Sequence, residues 1–338
     1  MKWPNVLLRW LEAFHIESCT IYRLISICTT HPLFSLRMLK IQAIDLVKTF
    51  GTTKAADHLN LDIPANTIYG LLGPNGAGKT TFIRMATTIT RPDSGTLLFD
   101  GQPLHEAHAL QMGYMPEERG LYKKMSVLDQ LVFFAEIKGM SHATARQEAI
   151  KWLKRLDMAT WAGKKLEELS KGMAQKVQFL CTIIHKPQFI ILDEPFSGFD
   201  PVNADLIKDL IQELHRDGAT ILFSTHRMDN VEELCEHLCI IHRGKVALHG
   251  DADSIRRRHF SNIYSIEFSN KVAFHNDLFK IVSEGPSAEN RYHYSIHAEA
   301  ENREALVQYA ASIGGLTSFG EDLPTIHQIF VNTVTSEI

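Results

Sequence analysis

A glycine-rich segment that ends in a lysine and a threonine is the part of this sequence best suited to chemistry. Glycines let the backbone turn tightly, so that several N–H groups converge on one anion, and a helix that follows adds its positive end. Lys79 can then reach the β- and γ-phosphates of a nucleotide, and the Thr80 hydroxyl can bind Mg²⁺. The pattern G-x-x-x-x-G-K-[ST] therefore predicts a phosphate loop for ATP and Mg²⁺. The predicted loop comprises Gly73, Pro74, Asn75, Gly76, Ala77, Gly78, Lys79 and Thr80, followed by Thr81.

An acidic pair follows a continuous apolar run at residues 189–192. Such a run is typical of a strand buried on both faces, and ligands of open α/β sheets bind at the carboxyl ends of the strands. Asp193 is then placed to hold Mg²⁺, and Glu194 is placed to polarise an attacking water. Two carboxylates that merely cap a strand end are the alternative, which the upstream phosphate loop disfavours.

The elements that must position these residues are visible in the hydrophobic pattern. Apolar runs at 67–72, 189–192 and 219–224 predict buried strands, and a helix is predicted over 81–88. Strands that alternate with helices predict an α/β fold around a mostly parallel sheet. Further segments are predicted as strands at 39–44, 96–99, 238–241 and 246–248, and as helices at 142–158 and 171–185.

Changes in the hydrophobic pattern divide the chain into three parts, which are predicted to be the domains 1–37, 38–255 and 256–338. Residues 1–37 carry apolar side chains at helical spacing, and are either an amphipathic helix on a membrane or on a membrane protein, or a mis-assigned start before Met38. The last part predicts a small α+β domain, with strands at 263–268 and 292–296, a helix at 301–313 and an apolar tail. The run 256–258, three arginines, is interpreted as a solvated linker.

Composition excludes several classes of function. A net charge of -4 and a pI of about 6.5 do not favour nucleic acid as a partner. No segment has the roughly 20 apolar residues of a membrane span, so a soluble protein is expected. Five cysteines without metal-ligand spacing predict reduced, buried thiols in the cytosol.

Five further segments resemble motifs of the ABC ATPase family and occur in the same order as in that family. Taken together, the resemblance covers roughly residues 39–255. They are 50–51, 114–117, 169–173, 197–200 and His226. The resemblance implies a P-loop NTPase of the ABC type, with an antiparallel β subdomain and a helical subdomain. It implies that Phe50 stacks on adenine, that Glu117 binds near Mg²⁺, and that His226 acts in catalysis with Glu194 and Lys79.

The same resemblance implies the partners of the chain. Ser170 and Gly172 are expected to cap the γ-phosphate held by a second copy in a head-to-tail dimer, and Asp200 is expected to be a nucleotide-binding residue. ABC membrane permease subunits are expected to dock near 117–122, which places the protein in the cytoplasm at the inner face of the membrane. Export is favoured, because 116–122 and the C-terminal domain are similar to an exporter-like branch.

Two departures from the family and two alternative functions stay open at this point. Lys171 and Met173 replace a glycine and a glutamine of the usual signature, and Glu117 replaces a glutamine. A non-transport ABC ATPase is one alternative, against which the chain offers no long heptads and only one copy of each motif. A regulatory module without turnover is the other, against which Asp193, Glu194 and His226 argue.

Overall fold

The structure is a computed structural model that describes residues 40–118, 120–274, 278–287 and 291–335. The prediction for residues 1–37 lies outside these ranges. Within them the strands are β1 (Ile41–Phe50), β2 (Thr53–Ile63), β3 (Ile68–Leu72), β4 (Ser94–Phe99), β5 (Gln102–Pro103), β6 (Met112–Met115), β7 (Phe189–Asp193), β8 (Thr220–Ser224), β9 (His237–His242), β10 (Lys245–Asp251), β11 (Ile263–Phe268), β12 (Lys280–Pro286), β13 (Tyr292–His297) and β14 (Leu316–Glu321).

The helices of the same ranges alternate with these strands through the first two thirds of the chain. They are α1 (Lys79–Ala86), α2 (Val127–Ile137), α3 (His142–Arg155), α4 (Lys171–Ile183), α5 (Pro201–Arg216), α6 (Met228–Leu234), α7 (Ala252–Arg258), α8 (Arg303–Ile313) and α9 (Ile326–Thr335). Short 3₁₀ turns lie at Glu106–Gln111, Ala159–Trp161, Leu166–Glu168 and Ala300–Asn302. None of the described helices is long and apolar enough to cross a membrane.

The central sheet has the strand order β10-β9-β3-β8-β7-β6, parallel except for the edge strand β10. Strand β7 is buried on both faces: Ile190 and Leu192 enter one apolar core, while Phe189 and Ile191 enter the other. This explains why the strand is a continuous apolar run, and each such side chain contributes about 1.5–3 kcal/mol on burial. The predicted α/β class with a mostly parallel sheet is confirmed.

Two further layers flank the central sheet. An antiparallel sheet with the order β2-β1-β4-β5 packs its apolar side chains in the same core as α1. On the other side, α2 lies against α3 and α4. The antiparallel β part and the helical part that the family resemblance implied are therefore both present.

The C-terminal part forms its own antiparallel sheet, in the order β12-β13-β11-β14. Alternate residues of β11, namely Tyr264, Ile266 and Phe268, are buried in a core that includes Leu306 of α8. The predicted strands and helix of this part are confirmed. The predicted boundary at 255/256 falls inside α7, and the division of the chain into domains stays a prediction.

Residues 256–258 are not a linker, although Arg257 and Arg258 are exposed, as the interpretation of a solvated charge run predicted. The three arginines end α7, whose first turn is capped by Asp251, because that carboxylate accepts the Ser254 N–H at 2.7 Å. Arg256 Nε donates to the Pro324 carbonyl at 3.0 Å, and Arg257 lies 3.5 Å from the Glu321 carboxylate. These contacts join α7 to the segment that leads into α9.

Three of the five cysteines lie in the described ranges, and all three are free, buried thiols as predicted. Burial raises the pKa of the Cys181, Cys235 and Cys239 thiols. These thiols are therefore protonated packing groups and not nucleophiles. Cys235 follows the end of α6 and Cys239 lies in β9, so the two do not share a helix face.

Candidate nucleotide site

The predicted phosphate loop leads from β3 into α1. Gly76 and Gly78 have φ angles of 78° and 114°, a region that favours glycine. A Cβ at Gly78 would lie 2.2 Å from the Ala55 carbonyl oxygen, so only glycine fits there. The sequence thus forces the backbone to turn immediately before the helix, which begins at Lys79.

Lys79 is buried, with 8 % of its surface exposed. Its Nζ donates to the carbonyl oxygens of Gly73 at 2.7 Å and Pro74 at 3.2 Å. Burial lowers the pKa of the ammonium, whereas the carboxylates of Glu194, Asp193 and Glu117 act in the opposite direction. An incoming phosphate would add negative charge beside this ammonium and stabilise its charged form.

Asp193 ends β7 and is buried, with 2 % of its surface exposed. In the parallel register it lies beside Ser224, the last residue of β8, and the Ser224 hydroxyl donates to its Oδ1. Its Oδ2 accepts the Thr80 hydroxyl at 3.5 Å. Two strand ends and the start of a helix therefore bring hard oxygen ligands together.

Glu194 leaves the sheet with a φ of 51°, and its N–H donates to the Ser224 carbonyl at 3.1 Å. Its Oε1 lies 2.8 Å from His226 Nδ1, and its Oε2 accepts the Thr225 hydroxyl at 3.3 Å. The Thr225 hydroxyl accepts the Arg227 N–H at 3.0 Å. The carboxylate is thus held at both oxygens, and its side chain is only 11 % exposed.

These groups line one polar cavity of about 320 Å³. The site residues predicted from sequence that line it are Asn75, Gly76, Ala77, Gly78, Lys79, Thr80, Thr81, Glu117, Asp193, Glu194 and His226. Gly73 and Pro74 do not line the cavity themselves, but their carbonyl oxygens accept hydrogen bonds from Lys79, which does. Phe50 does not line the cavity; it is 53 % exposed at the end of β1, and Ala55 lines the cavity instead.

The predicted signature residues lie elsewhere. Ser170 caps α4, because its hydroxyl accepts the Met173 N–H at 3.3 Å, and Asp200 caps α5 in the same way through Asn203 at 3.0 Å. A Cβ added at Gly198 would lie 2.5 Å from Lys171 Cε, so the lysine stem covers this glycine. Ser170, Gly172 and Asp200 do not line the cavity of their own chain.

Helix α4 supports both segments that approach the cavity. Gln178 Nε2 donates to the Pro116 carbonyl at 2.7 Å, which fixes the segment that carries Glu117. Gln175 Nε2 donates to the Pro195 carbonyl at 3.1 Å, just after Glu194. These two glutamines, and the roles of Ser224 and Thr225, were not predicted from the sequence. The sequence offers one weak signal for them: the apolar run that ends at Ser224 predicts a strand whose carboxyl end lies at the same edge of the sheet as Asp193.

A parallel sheet that presents a glycine-rich anion loop, a buried lysine and an acidic pair at one edge defines a nucleotide-binding ATPase of the P-loop class. Residues 56–197 match the ABC transporter family model, and residues 250–334 match that of the DrrA1-3-like ATP-binding protein C-terminal domain. The chain belongs to the ABC transporter ATP-binding proteins. It is a transport-powering subunit that binds nucleotide and hydrolyses ATP.

Three similar proteins illustrate the relationship. The ABC transporter ATP-binding protein YhaQ of Bacillus subtilis (strain 168) is 40 % identical over 292 residues, 86 % of this chain and 96 % of YhaQ. The Nod factor export ATP-binding protein I of Cupriavidus metallidurans is 34 % identical over 213 residues, 62 % of this chain and 70 % of the relative. A solved ATP-binding subunit of an ABC transporter is 28 % identical with a TM-score of 0.61, covering 65 % of this chain and 92 % of its own.

Proposed function

We propose that the cavity between the phosphate loop and the carboxyl ends of β7 and β8 hydrolyses MgATP in a head-to-tail dimer, and that this drives export through a separate permease. One observation carries the proposal. The Lys79 ammonium, the Thr80–Asp193 oxygens and the Glu194–His226 pair all face the same polar cavity. Charge neutralisation, metal binding and water activation are the three requirements of phosphoryl transfer to water.

The phosphate grip comes from residues 73–80 and from Lys79. Its ammonium donates to two loop carbonyls, so the lysine is preorganised within the loop before nucleotide arrives. Backbone N–H groups of the glycine-rich turn and the first turn of α1 supply further donors for the phosphate oxygens. Phe50, exposed at the end of β1, is proposed to stack on the adenine.

The oxygen ligands fit Mg²⁺. This ion is bound through one or two carboxylates together with substrate phosphates, and it keeps several waters. The described residues contain no cluster of three or more His, Cys, Asp or Glu side chains that would form an all-protein metal site. Thr80 and Asp193, with Glu117 at the cavity wall, would hold the ion. When bound, Mg²⁺ neutralises charge on the phosphates.

Glu194 is proposed to accept the proton of the attacking water, and His226 to orient the carboxylate and the γ-phosphate. The two side chains are joined at 2.8 Å, and Thr225 holds the other carboxylate oxygen. Catalysis would rest on positioning and charge, since the protein forms no bond to the phosphoryl group.

A second copy is proposed to complete the site. Ser170 and Gly172 begin α4, where free N–H groups suit an anion, yet they lie outside the cavity of their own chain. A head-to-tail pair would bring this edge, with Asp200, to the γ-phosphate held by the partner. ATP would then join the two copies and hydrolysis would release them.

A permease is proposed to dock near 117–122, with the protein at the cytoplasmic face of the membrane. Arg119 lies outside the described residues, and Tyr122 is 54 % exposed. Export is supported by the name of the Cupriavidus relative and by the DrrA-like C-terminal domain. Gln178 ties this docking segment to α4, which would link permease motion to the signature residues.

The test is Glu194→Gln, which keeps the shape of the side chain and removes its basicity. We expect ATP turnover to fall at least about 100-fold, the size of a lost general base, while ATP binding survives and an ATP-bound dimer accumulates. Phosphate release and light scattering with MgATP measure the two effects. Glu304→Gln, the same change on an exposed residue of α8, is the control. Normal turnover by the Glu194 variant would refute the assignment of the base.

A further inference from the structure

The position of His226 depends on its backbone. The imidazole is 63 % exposed, and its side-chain contact is the 2.8 Å interaction with Glu194. A ring so open to solvent lacks the packed neighbours that fix a buried side chain. Thr225 anchors the chain on one side of it, and helix α6 begins two residues after it at Met228. Any shift of α6 is therefore passed directly to His226.

Helix α6 is short, and tertiary contacts hold it in place. Its end is tied to the central sheet, because the Glu236 N–H donates to the Ile68 carbonyl at 3.1 Å. Glu233 forms an ion pair with Lys208 of α5. A helix of two turns has little stability of its own, so these contacts decide where it lies. Its inward side chains, Met228, Val231 and Leu234, are buried in the main core.

The C-terminal helix α9 covers the remaining side of α6. Ile326 and Ile329 are each 1 % exposed and belong to the same core cluster as the apolar residues of α6. Glu232 Oε1 accepts the Ile326 N–H at 2.6 Å and the His327 N–H at 3.4 Å. The first N–H groups of a helix lack partners within it, and a carboxylate there also complements the helix dipole. A single side chain of α6 thus accepts the first two N–H groups of α9, while the Thr325 hydroxyl accepts the N–H of Gln328 at 3.1 Å.

The entry into α9 is also tied to the C-terminal sheet and to α7, and the Asp322 N–H donates to the Ile263 carbonyl of β11 at 2.8 Å. Arg256 of α7 donates to the Pro324 carbonyl at 3.0 Å, and Arg257 pairs with Glu321 at the end of β14. A displacement of that sheet would therefore move the segment 321–326, and with it the partner of Glu232.

We propose that Glu232 is a positioning residue for ATP hydrolysis: by capping α9 it fixes α6 and hence His226, so that the C-terminal domain sets the rate of the hydrolytic step. This inference rests on the proposed role of His226. Glu232 itself lies outside the nucleotide cavity and contacts no predicted ligand of the phosphates. The C-terminal domain would act on catalysis without touching nucleotide.

The test separates positioning from binding. In the full chain, Glu232→Ala should lower kcat about tenfold, because small misplacements of catalytic groups are costly, and leave the ATP dissociation constant within about twofold. Glu232→Gln keeps an acceptor oxygen and should restore most of kcat. His327→Ala is the matched control, since it removes a neighbouring side chain but keeps the N–H that Glu232 accepts.

A double-mutant cycle with His226→Ala tests the route. If Glu232 acts through His226, Glu232→Ala should cause no further loss of kcat in that background. An equal loss in both backgrounds, or a wild-type kcat for Glu232→Ala, overturns the inference while leaving the proposed function intact. Normal hydrolysis by His226→Ala would instead overturn the proposed role of His226, and the inference with it.

Discussion

Thr225→Val tests how the site holds the proposed base. Thr225 is 1 % exposed, and valine matches its shape, so the change removes little more than the hydroxyl. That hydroxyl donates to Glu194 at 3.3 Å and accepts from Arg227 at 3.0 Å. A hydrogen bond to a charged group contributes about 1.5–3 kcal/mol, and the change also removes the acceptor of the Arg227 N–H.

The expected stability loss is therefore about 2 kcal/mol, or about 3 °C in Tm for a chain of this size. For catalysis, Glu194 keeps its contact with His226 but loses the second one. We expect kcat to fall about tenfold, equivalent to about 1.4 kcal/mol, because part of the benefit of a positioned base is lost. KM should not change, since Lys79 and the phosphate loop are untouched.

Steady-state ATPase rates over a range of ATP concentrations, with a thermal melt, measure both effects. Thr225→Ser is the control: it keeps the hydroxyl and loses one buried methyl group, about 1 kcal/mol of stability. Its kcat should stay near the wild-type value. If the valine and serine variants have equal kcat, the hydroxyl does not position Glu194 and the reasoning is wrong.

Two further predictions concern stability. Burial, together with the charge of Lys138, lowers the pKa of His185 to about 4. Because this pKa is below the unfolded value of about 6.5, the stabilisation by neutral His185 is present above pH 6.5 and is lost as the pH falls towards 4. Urea unfolding at pH 7 and pH 5 should therefore show that the free energy of unfolding of His185→Gln falls by about 2 kcal/mol less than that of the wild type. Equal falls for the two proteins would contradict the prediction. Gly78→Ala, whose Cβ would lie 2.2 Å from the Ala55 carbonyl, should destabilise the chain by more than about 2 kcal/mol, whereas Gly76→Ala, with open space around it, should cost about 1 kcal/mol for its φ alone. Equal melting temperatures for these two alanine variants would refute the argument from the close contact.

Five of the six strands of the central sheet were predicted from the sequence, because apolar runs mark them, whereas the edge strand β6 was not predicted. The runs at 189–192 and 219–224 are continuous and apolar, as burial on both faces requires, and they became β7 and β8. The start of α1 was less accurate: a helix was predicted from Thr81, whereas it begins at Lys79 directly after the turn at Gly78. Backbone geometry at glycine is not visible in hydrophobic periodicity.

The contacts that complete the site could not be predicted in the same way. Ser224 meets Asp193 only because two parallel strands adopt one register, and no sequence signal fixes that register. The arginines at 256–258 were taken for a linker because their partners near 321–324 are distant in sequence. The assigned roles of Ser170, Gly172 and Asp200 concern a second chain and stay predictions.

The backbone of Glu194 has one more consequence. With a φ of 51° this residue occupies a conformation in which asparagine or glycine is more comfortable, at a cost of about 1 kcal/mol or more for glutamate. Selection of variants for thermal stability alone would therefore tend to replace Glu194, the carboxylate proposed to activate water. Stabilising substitutions in this chain should not include position 194, since stability and ATP turnover favour different residues there.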